Sequence, residues 1–390
     1  PSMTVTDAFF ESFSGLTTTG ATVIEGIDFL PHSVQFYRQQ LQWLGGMGII
    51  VLAVAILPIL GVGGMQLYRA ETPGPVKDNK MTPRIADTAK HLWYIYLSIT
   101  IACAGAYWLA GMNVFDAICH SFSTVAIGGF SNHDASLGYF NSPMVNVVCT
   151  VFLLIAALNF SLHYAAVSSR SVKGYFNDPE FKAFFIIQAS LIGICFLVLT
   201  LSGYYSSAEQ ALDQAMIQAV SISTTAGFAT TDFSVWPAFL PIMLIFSSFI
   251  GGCASSTGGG LKVVRVCLLF LQGKREVDRL IHPKAVYSVK FGDRAMPDRV
   301  VEAVWGFFSA YAVVFVIIMI GLIATGLDNL SAFTATAAML NNLGPGLGSV
   351  AANYADVTDA GKWILVIAMV FGRLEVFSLL VLFSPTFWRS

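Results

Sequence analysis

Four times along this chain the same plan recurs: a polar residue, a short apolar run, a turn rich in Thr, Ala or Asn, and then a glycine. The copies occupy 7–21 (DAFFESFSGLTTTGA), 116–130 (DAICHSFSTVAIGGF), 213–228 (DQAMIQAVSISTTAGF) and 331–345 (SAFTATAAMLNNLGP). Their glycines, Gly20, Gly129, Gly227 and Gly344, are 109, 98 and 117 residues apart, enough for one helix, one re-entrant loop and a further helix per period. Asp7, Asp116, Asp213 and Ser331 are residue types that satisfy free amides at a helix start, so each copy reads as a short helix whose negative C-terminal end points into the turn. A turn that aims consecutive carbonyls at one axis needs left-handed backbone, which explains the glycine.

The surroundings of these turns are apolar. The 390 residues are 55% hydrophobic and 11% charged, with a mean hydropathy of +0.69, which places the chain in a bilayer. Stretches long enough to span lie near 43–60, 91–110, 144–167, 183–202, 237–271, 303–326 and 363–383, seven main segments. Irregular polar backbone at membrane depth is tolerated only beside protein or a water-filled cavity, and four such turns in phase point to a shared one. The expected fold is an all-α integral membrane protein in which four pseudo-symmetric helix–pore loop–helix repeats surround one central pore.

Charge sets the orientation. Loops 61–90, 168–182 and 271–300 hold fifteen Lys or Arg, among them Arg69, Lys77, Arg170, Lys173, Lys274, Arg275, Arg279, Lys284 and Arg294, and are expected to face the cytoplasm. The stretches 1–37, 111–142, 204–236 and 327–362 carry twelve acids and one base, Lys362, and are expected to face outward, where they would concentrate cations. The expected organisation is repeat 1 at 1–60, lacking its first helix; a cytoplasmic loop at 61–90; repeat 2 at 91–167; a loop at 168–182; repeat 3 at 183–271, with a broken second helix; a loop at 272–300; and repeat 4 at 301–390. Membrane lipid is the immediate partner, and no nucleic acid is expected.

The break in repeat 3 falls at 251–260 (GGCASSTGGG), where five glycines in ten residues cannot sustain a helix, each costing about 1 kcal/mol relative to alanine. A P-loop would close on Gly-Lys-Ser/Thr, and this segment does not. It reads as an intramembrane loop, with Gly251, Gly252, Ser255, Ser256, Thr257, Gly258, Gly259 and Gly260 as candidate gate residues. Arg373 lies inside the last apolar segment, and such a residue usually faces an interior cavity. Glu375 is a poor partner for it, two positions along the same helix. Gly45-Gly46-Met47-Gly48 suits close helix packing. The six cysteines and six histidines show no metal-ligand spacing, and His120 is expected to be structural. The 346–351 segment GLGSVA matches a dinucleotide pattern but follows no strand, so it is set aside.

The four turns, Thr17-Thr18-Thr19-Gly20, Ala126-Ile127-Gly128-Gly129, Thr224-Thr225-Ala226-Gly227 and Asn341-Asn342-Leu343-Gly344, resemble the degenerate selectivity filters of the Trk/Ktr/HKT superfamily of potassium transporters, most closely its bacterial Trk-system membrane subunits. The resemblance extends over essentially the whole chain. It implies potassium ion held at those sixteen residues, with potassium preferred over sodium because all four positions are glycine. It also implies a loop at 251–260 that obstructs the path and an arginine at 373 acting as an electrostatic barrier. Further implications are a homodimer in the bacterial inner membrane and a cytosolic regulatory subunit of the TrkA type that carries the nucleotide, with no organic cofactor on this chain. Family members have three helices ahead of the first turn, so the chain is expected to be missing its N-terminus. A potassium-selective uptake pore leads, and a proton- or sodium-coupled potassium symporter stays open. A voltage-gated channel would show arginine-periodic sensor helices, and an intramembrane hydrolase a motif such as HExxH; the sequence has neither.

Overall fold

The computed structural model describes residues 3–51, 85–237 and 239–374; Arg69, Lys77, Glu375 and the end of the last apolar segment lie outside the described residues. Helices build nearly all of it: α1 (Val5–Leu16), α2 (His32–Val51), α3 (Ile85–Leu109), α4 (Val114–Ala126), α5 (Pro143–Ala156), α6 (Phe160–Ser169) and α7 (Lys173–Asn177). They continue with α8 (Pro179–Leu201), α9 (Ala208–Ser223), α10 (Leu240–Ser248), α11 (Val263–Ile281), α12 (Asp298–Ala324), α13 (Asn329–Asn341) and α14 (Asp359–Arg373). Between α11 and α12 a small antiparallel hairpin pairs β1 (Lys290–Phe291) with β2 (Arg294–Ala295), Lys290 opposite Ala295.

Among the described residues, three helices are long and apolar enough to cross a membrane: α3 over Ala89–Leu109, α8 and α12. Only 28%, 28% and 22% of their apolar windows are buried. Ile101, Ile186, Leu197, Val313 and Ile317 are all exposed, an aliphatic surface suited to acyl chains. The four short helices α1, α4, α9 and α13 lie inside this ring. Each packs against long helices on either side: α4 on α2 and α3, α9 on α8 and α5, α13 on α12 and α14, and α1 on α2 and α14. The last contact joins the two ends of the chain and closes the circle.

Three expectations need correction. The caps of the short helices lie upstream of the residues expected: Thr4, Asn113, Ser207 and Asp328 accept from the amides of Asp7, Asn113's partner Asp116, Gln210, and both Leu330 and Ser331. Asp7, Asp116 and Ser331 are third residues within the first turn, where the two acids still suit the helix dipole, and Asp213 lies mid-helix, accepting from Asn146 Nδ2 at 2.8 Å. The second helix of repeat 1 begins at His32 and not near 43, because Gln35, Arg38, Gln39 and Gln42, which look unsuited to a span, are buried against the protein interior. The stretch 144–167 is no single straight helix: α5 and α6 meet at 88°.

Candidate functional site

Each short helix ends in the same way. The amides of Thr19, Gly128, Ala226 and Leu343 reach back to the carbonyls of Ser14, Ser123, Ser221 and Ala338 at 2.9, 2.8, 2.8 and 2.7 Å, a Schellman closure that requires a left-handed residue just before each amide. Those residues are Thr18 (φ 52°), Ile127 (φ 54°), Thr225 (φ 72°) and Asn342 (φ 54°). A second left-handed residue follows two positions on, at Gly20 (φ 81°), Gly129 (φ 76°), Gly227 (φ 80°) and Gly344 (φ 94°). Alternation of left-handed residues with ordinary ones turns successive carbonyls toward one side, which neither a strand nor a helix end does. Three of the non-glycine positions are β-branched, and each such residue stores on the order of 1–3 kcal/mol of strain.

The four turns meet in cyclic order. A Cβ added to Gly20 would stand 2.1 Å from the Gly128 carbonyl oxygen, on Gly129 1.9 Å from that of Ala226, on Gly227 2.0 Å from that of Leu343, and on Gly344 2.7 Å from that of Thr19. Each glycine therefore admits the carbonyl that precedes the next glycine, and the fourth returns to the first. One cavity of about 490 Å³ touches all four glycines and is lined further by Arg38 of α2 and by His133, Asp134, Asp232 and Tyr354, these four from the stretches expected to face outward.

Buried polar side chains brace the ring from behind. Gln42 donates through Nε2 to the Gly128 carbonyl at 2.6 Å and accepts at Oε1 from the Phe130 amide at 3.1 Å, holding turn two from both sides of Gly129. Arg38 pairs with Glu11 at 2.7 Å, both buried, and Glu11 in turn accepts from the Val23 amide at 3.1 Å beyond turn one. Arg38 also donates to the Ser131 carbonyl at 3.2 Å and lies over the Phe130 ring. Ser223, at the end of α9, donates to Gln188 at 2.8 Å. Tyr311 donates to Asn341 Oδ1 at 2.7 Å, and Tyr354 to the Gly344 carbonyl at 2.8 Å. None of these braces was singled out from sequence. The available signal was an acid and a base, Glu11 and Arg38, inside otherwise apolar or amide-rich helical segments.

Beneath the turns, on the side opposite the cavity, runs the glycine-rich segment between α10 and α11. Thr257 Oγ1 donates to the Val125 carbonyl at 3.0 Å, the Gly259 amide to Thr225 Oγ1 at 2.7 Å, and the Gly260 amide to the Asn341 carbonyl at 3.1 Å. The segment thus touches the ends of α4, α9 and α13. A Cβ on Gly259 would lie 1.9 Å from the Asn341 oxygen, so the backbone can approach this closely only without a side chain. Arg373, buried at the end of α14, donates to the Thr257 carbonyl at 2.8 Å and to the Gly45 carbonyl of α2 at 3.1 Å. The segment also enters the break between α5 and α6, where the Cys253 amide donates to the Ala157 carbonyl at 2.8 Å and the Ser255 carbonyl accepts from the Phe160 amide at 3.3 Å. Ser256 and Thr257 are buried, and the segment is tied on several sides. Gly251, Gly252, Ser255 and Gly258 complete its course; Gly251 (φ 71°), Ser255 (φ 56°) and Gly260 (φ 72°) make its bends.

At the outer rim, His133 joins two repeats. Its Nδ1 meets Asp28 at 2.5 Å, its Nε2 meets Asp116 at 3.2 Å, and its ring stacks on Tyr139. Burial works against the imidazolium, but hydrogen bonds to Asp116 and Asp28 outweigh it and raise the His133 pKa above the ordinary value. Burial likewise opposes ionisation of Asp28, while His133 and the Asp134 amide hold its carboxyl below the usual range. His120 is buried between the Asp116 carbonyl and Ser131, a structural setting.

The family model described as "TrkH: Cation transport protein" matches residues 1–390. A curated relative, the Trk system potassium uptake protein TrkH of Vibrio parahaemolyticus serotype O3:K6, is 68% identical over 392 residues, covering 100% of this chain and 81% of the relative. The TrkH protein of Escherichia coli (strain K12) is 64% identical over 390 residues, covering 100% and 81%, and the TrkG protein of the same strain is 44% identical over 388 residues, covering 100% and 80%. Among solved structures, the crystal structure of the potassium transporter TrkH from Vibrio parahaemolyticus superposes with a TM-score of 0.91 at 64% sequence identity, covering 99% of this chain and 80% of that one.

Proposed function

This chain belongs to the TrkH family of cation transport proteins, and from that premise we propose that its four turns form a potassium-selective filter above a gate made by the 251–260 segment. It is a multi-pass protein of the bacterial inner membrane that serves potassium uptake and is no enzyme. The observation that carries the filter reading is the cyclic approach of each glycine to the carbonyl of the next turn around one cavity. Carbonyls at Thr17 to Gly20, Ala126 to Gly129, Thr224 to Gly227 and Asn341 to Gly344 replace the hydration shell of a dehydrated potassium ion, and the four helix dipoles add negative potential at the same place.

Below the filter, the path meets the glycine-rich segment and Arg373. The segment sits across the ends of three of the four short helices, which is where an obstruction acts on every ion leaving the filter. The Arg373 guanidinium adds like charge where water is scarce, so it opposes cations most strongly there. The protein works as a homodimer whose cytosolic face receives a nucleotide-binding regulatory subunit of the TrkA type, the partner that shifts the segment between obstructing and open positions.

Purified protein in liposomes tests this. Deletion of 252–259 should leave potassium preferred over sodium while raising flux and weakening control by the partner. Equal flux and intact control in a folded deletion variant would reduce the segment to a structural kink. Reversal potentials that follow the potassium gradient alone, across imposed pH and sodium gradients, are the outcome expected of a pore; a shift with either gradient would establish a coupled symporter.

A further inference from the structure

Glu180 is the second residue of α8, buried at 6% exposure. Its Oε1 accepts the Ala254 amide at 2.7 Å and the Val264 amide at 3.2 Å. Those amides flank the part of the glycine-rich segment that carries Thr257, Gly258, Gly259 and Gly260. One carboxylate oxygen, supplied by the start of α8, therefore gathers the entry and the exit of the segment to one point. The same contact caps the start of α11, where free amides and the positive helix end favour an anion. A second ring of bonds lies inside the segment itself, from the Leu261 amide to the Phe249 carbonyl at 2.9 Å and from the Val263 amide to the Gly252 carbonyl at 3.1 Å. These keep the neck narrow but tie it to nothing outside, whereas Glu180 anchors it to α8.

We propose that Glu180 is the positioning residue that holds the glycine-rich segment in place under the four turns, acting through the Ala254 and Val264 amides. The proposal rests on the gate reading for its consequence in transport but not for its geometry. Charge-assisted hydrogen bonds are about twice as strong as neutral ones, and burial raises the cost of losing the acceptor, because both amides are then left unpartnered. Without the anchor, the segment reaches positions away from the turns more often.

The chain carries its own probe. Cys253, adjacent to Ala254, is 1% exposed, and Cys195, farther along α8, is 0% exposed. Wild type, Glu180→Ala and Glu180→Gln are placed in liposomes and treated with a charged thiosulfonate, labelling is quantified at each cysteine by mass spectrometry, and potassium and sodium flux are measured in parallel. In Glu180→Ala, Cys253 labelling should rise about tenfold or more, the scale expected when a local opening loses its strongest tether. Cys195 should stay protected, potassium flux should rise, and potassium should remain preferred. Glu180→Gln keeps an oxygen acceptor without the charge and should fall between the two. Faster Cys253 labelling with unchanged flux would keep Glu180 as the anchor and defeat the gate reading. Unchanged Cys253 labelling would overturn the proposal whatever the flux. Where Glu180→Ala exposes Cys195 as well, its fold is lost, and Glu180→Gln decides: wild-type labelling of Cys253 in that variant overturns the proposal.

Discussion

Asn342 Nδ2 donates to Thr19 Oγ1 at 3.0 Å across 323 residues of chain, joining the fourth turn to the first. The same amide donates to the Met369 carbonyl of α14 at 3.0 Å. Sequence neighbours build three of the four junctions in the ring, and this one is made between the ends of the chain. Its geometry leads to the first expectation.

Asn342→Leu should loosen the junction between turns four and one while leaving the left-handed backbone at that position to be borne by a less tolerant residue. Loss of two buried hydrogen bonds costs about 1–3 kcal/mol for each polar group left unpartnered. The thermal midpoint should fall and potassium over sodium preference should narrow, as read by relative permeability. An unchanged midpoint would show that the bond contributes nothing to closing the ring.

Serine at Gly20 or Gly129 should relax potassium preference, because the added Cβ would stand 2.1 or 1.9 Å from a neighbouring carbonyl oxygen and must displace it. Gly344 leaves more room, at 2.7 Å, so Gly344→Ser should be the milder change. Bi-ionic potentials on all three variants give the ranking, and an equal or reversed order would place the glycines outside the ion path.

Arg373→Ala should raise cation flux or flatten its voltage dependence, since it removes both a positive charge and the bonds to Thr257 and Gly45. Arg373→Lys retains the charge but cannot span both carbonyls in the same fork. If charge is the barrier, the lysine variant should behave as wild type; if the tether matters more, it should conduct like the alanine variant. A folded alanine variant with wild-type flux at several voltages would remove Arg373 from the path.

Truncating Arg38 to alanine should strand the buried Glu11 carboxylate, a loss of about 3–5 kcal/mol by analogy with other buried pairs. Replacing Arg38 with methionine together with Glu11→Gln should recover much of that stability. Thermal unfolding in one detergent compares them, and a single variant as stable as wild type would show that the pair is not a brace.

The contact between His133, Asp28 and Asp116 should depend on pH. The raised His133 pKa means that its stabilising contribution is complete below the free imidazole value of about 6.5 and is lost as pH rises through the raised value. The lowered Asp28 pKa adds a contribution present above the ordinary carboxylate value and lost as pH falls through the lowered one. Stability of the outer rim should therefore decline on the alkaline side, and His133→Gln should remove that decline. Unfolding midpoints across pH measure it; an identical alkaline limb in both proteins would refute the assignment.

What could be read from the residues follows the length scale of each interaction. The spacing of Gly20, Gly129, Gly227 and Gly344 was legible because each turn carries its own local signal, and the glycine-rich break was legible because five glycines forbid a helix. The left-handed conformations of Thr18, Ile127 and Thr225 were not, since β-branched residues disfavour them and only the closure of the short helices imposes them. Gln42 and Gln188 were hidden for a different reason. Their amides look like surface residues until the fold brings turn two and α9 against them. The caps were misplaced by three residues in α1, α4 and α13 because a short polar residue in the first turn, Asp7, Asp116 or Ser331, carries the same compositional signal as a cap.

The right-angled meeting of α5 and α6 bears on how the protein is made. At that corner the Ala157 carbonyl and the Phe160 amide are satisfied by Cys253 and Ser255, residues translated almost a hundred positions later. Until repeat 3 has entered the bilayer, these two groups lack those partners, and lipid offers none. A nascent chain ending before 240 should therefore present an unfinished helix to the membrane quality-control machinery. In the order of synthesis, repeat 2 becomes a completed structure only when the segment that will sit beneath the four turns arrives.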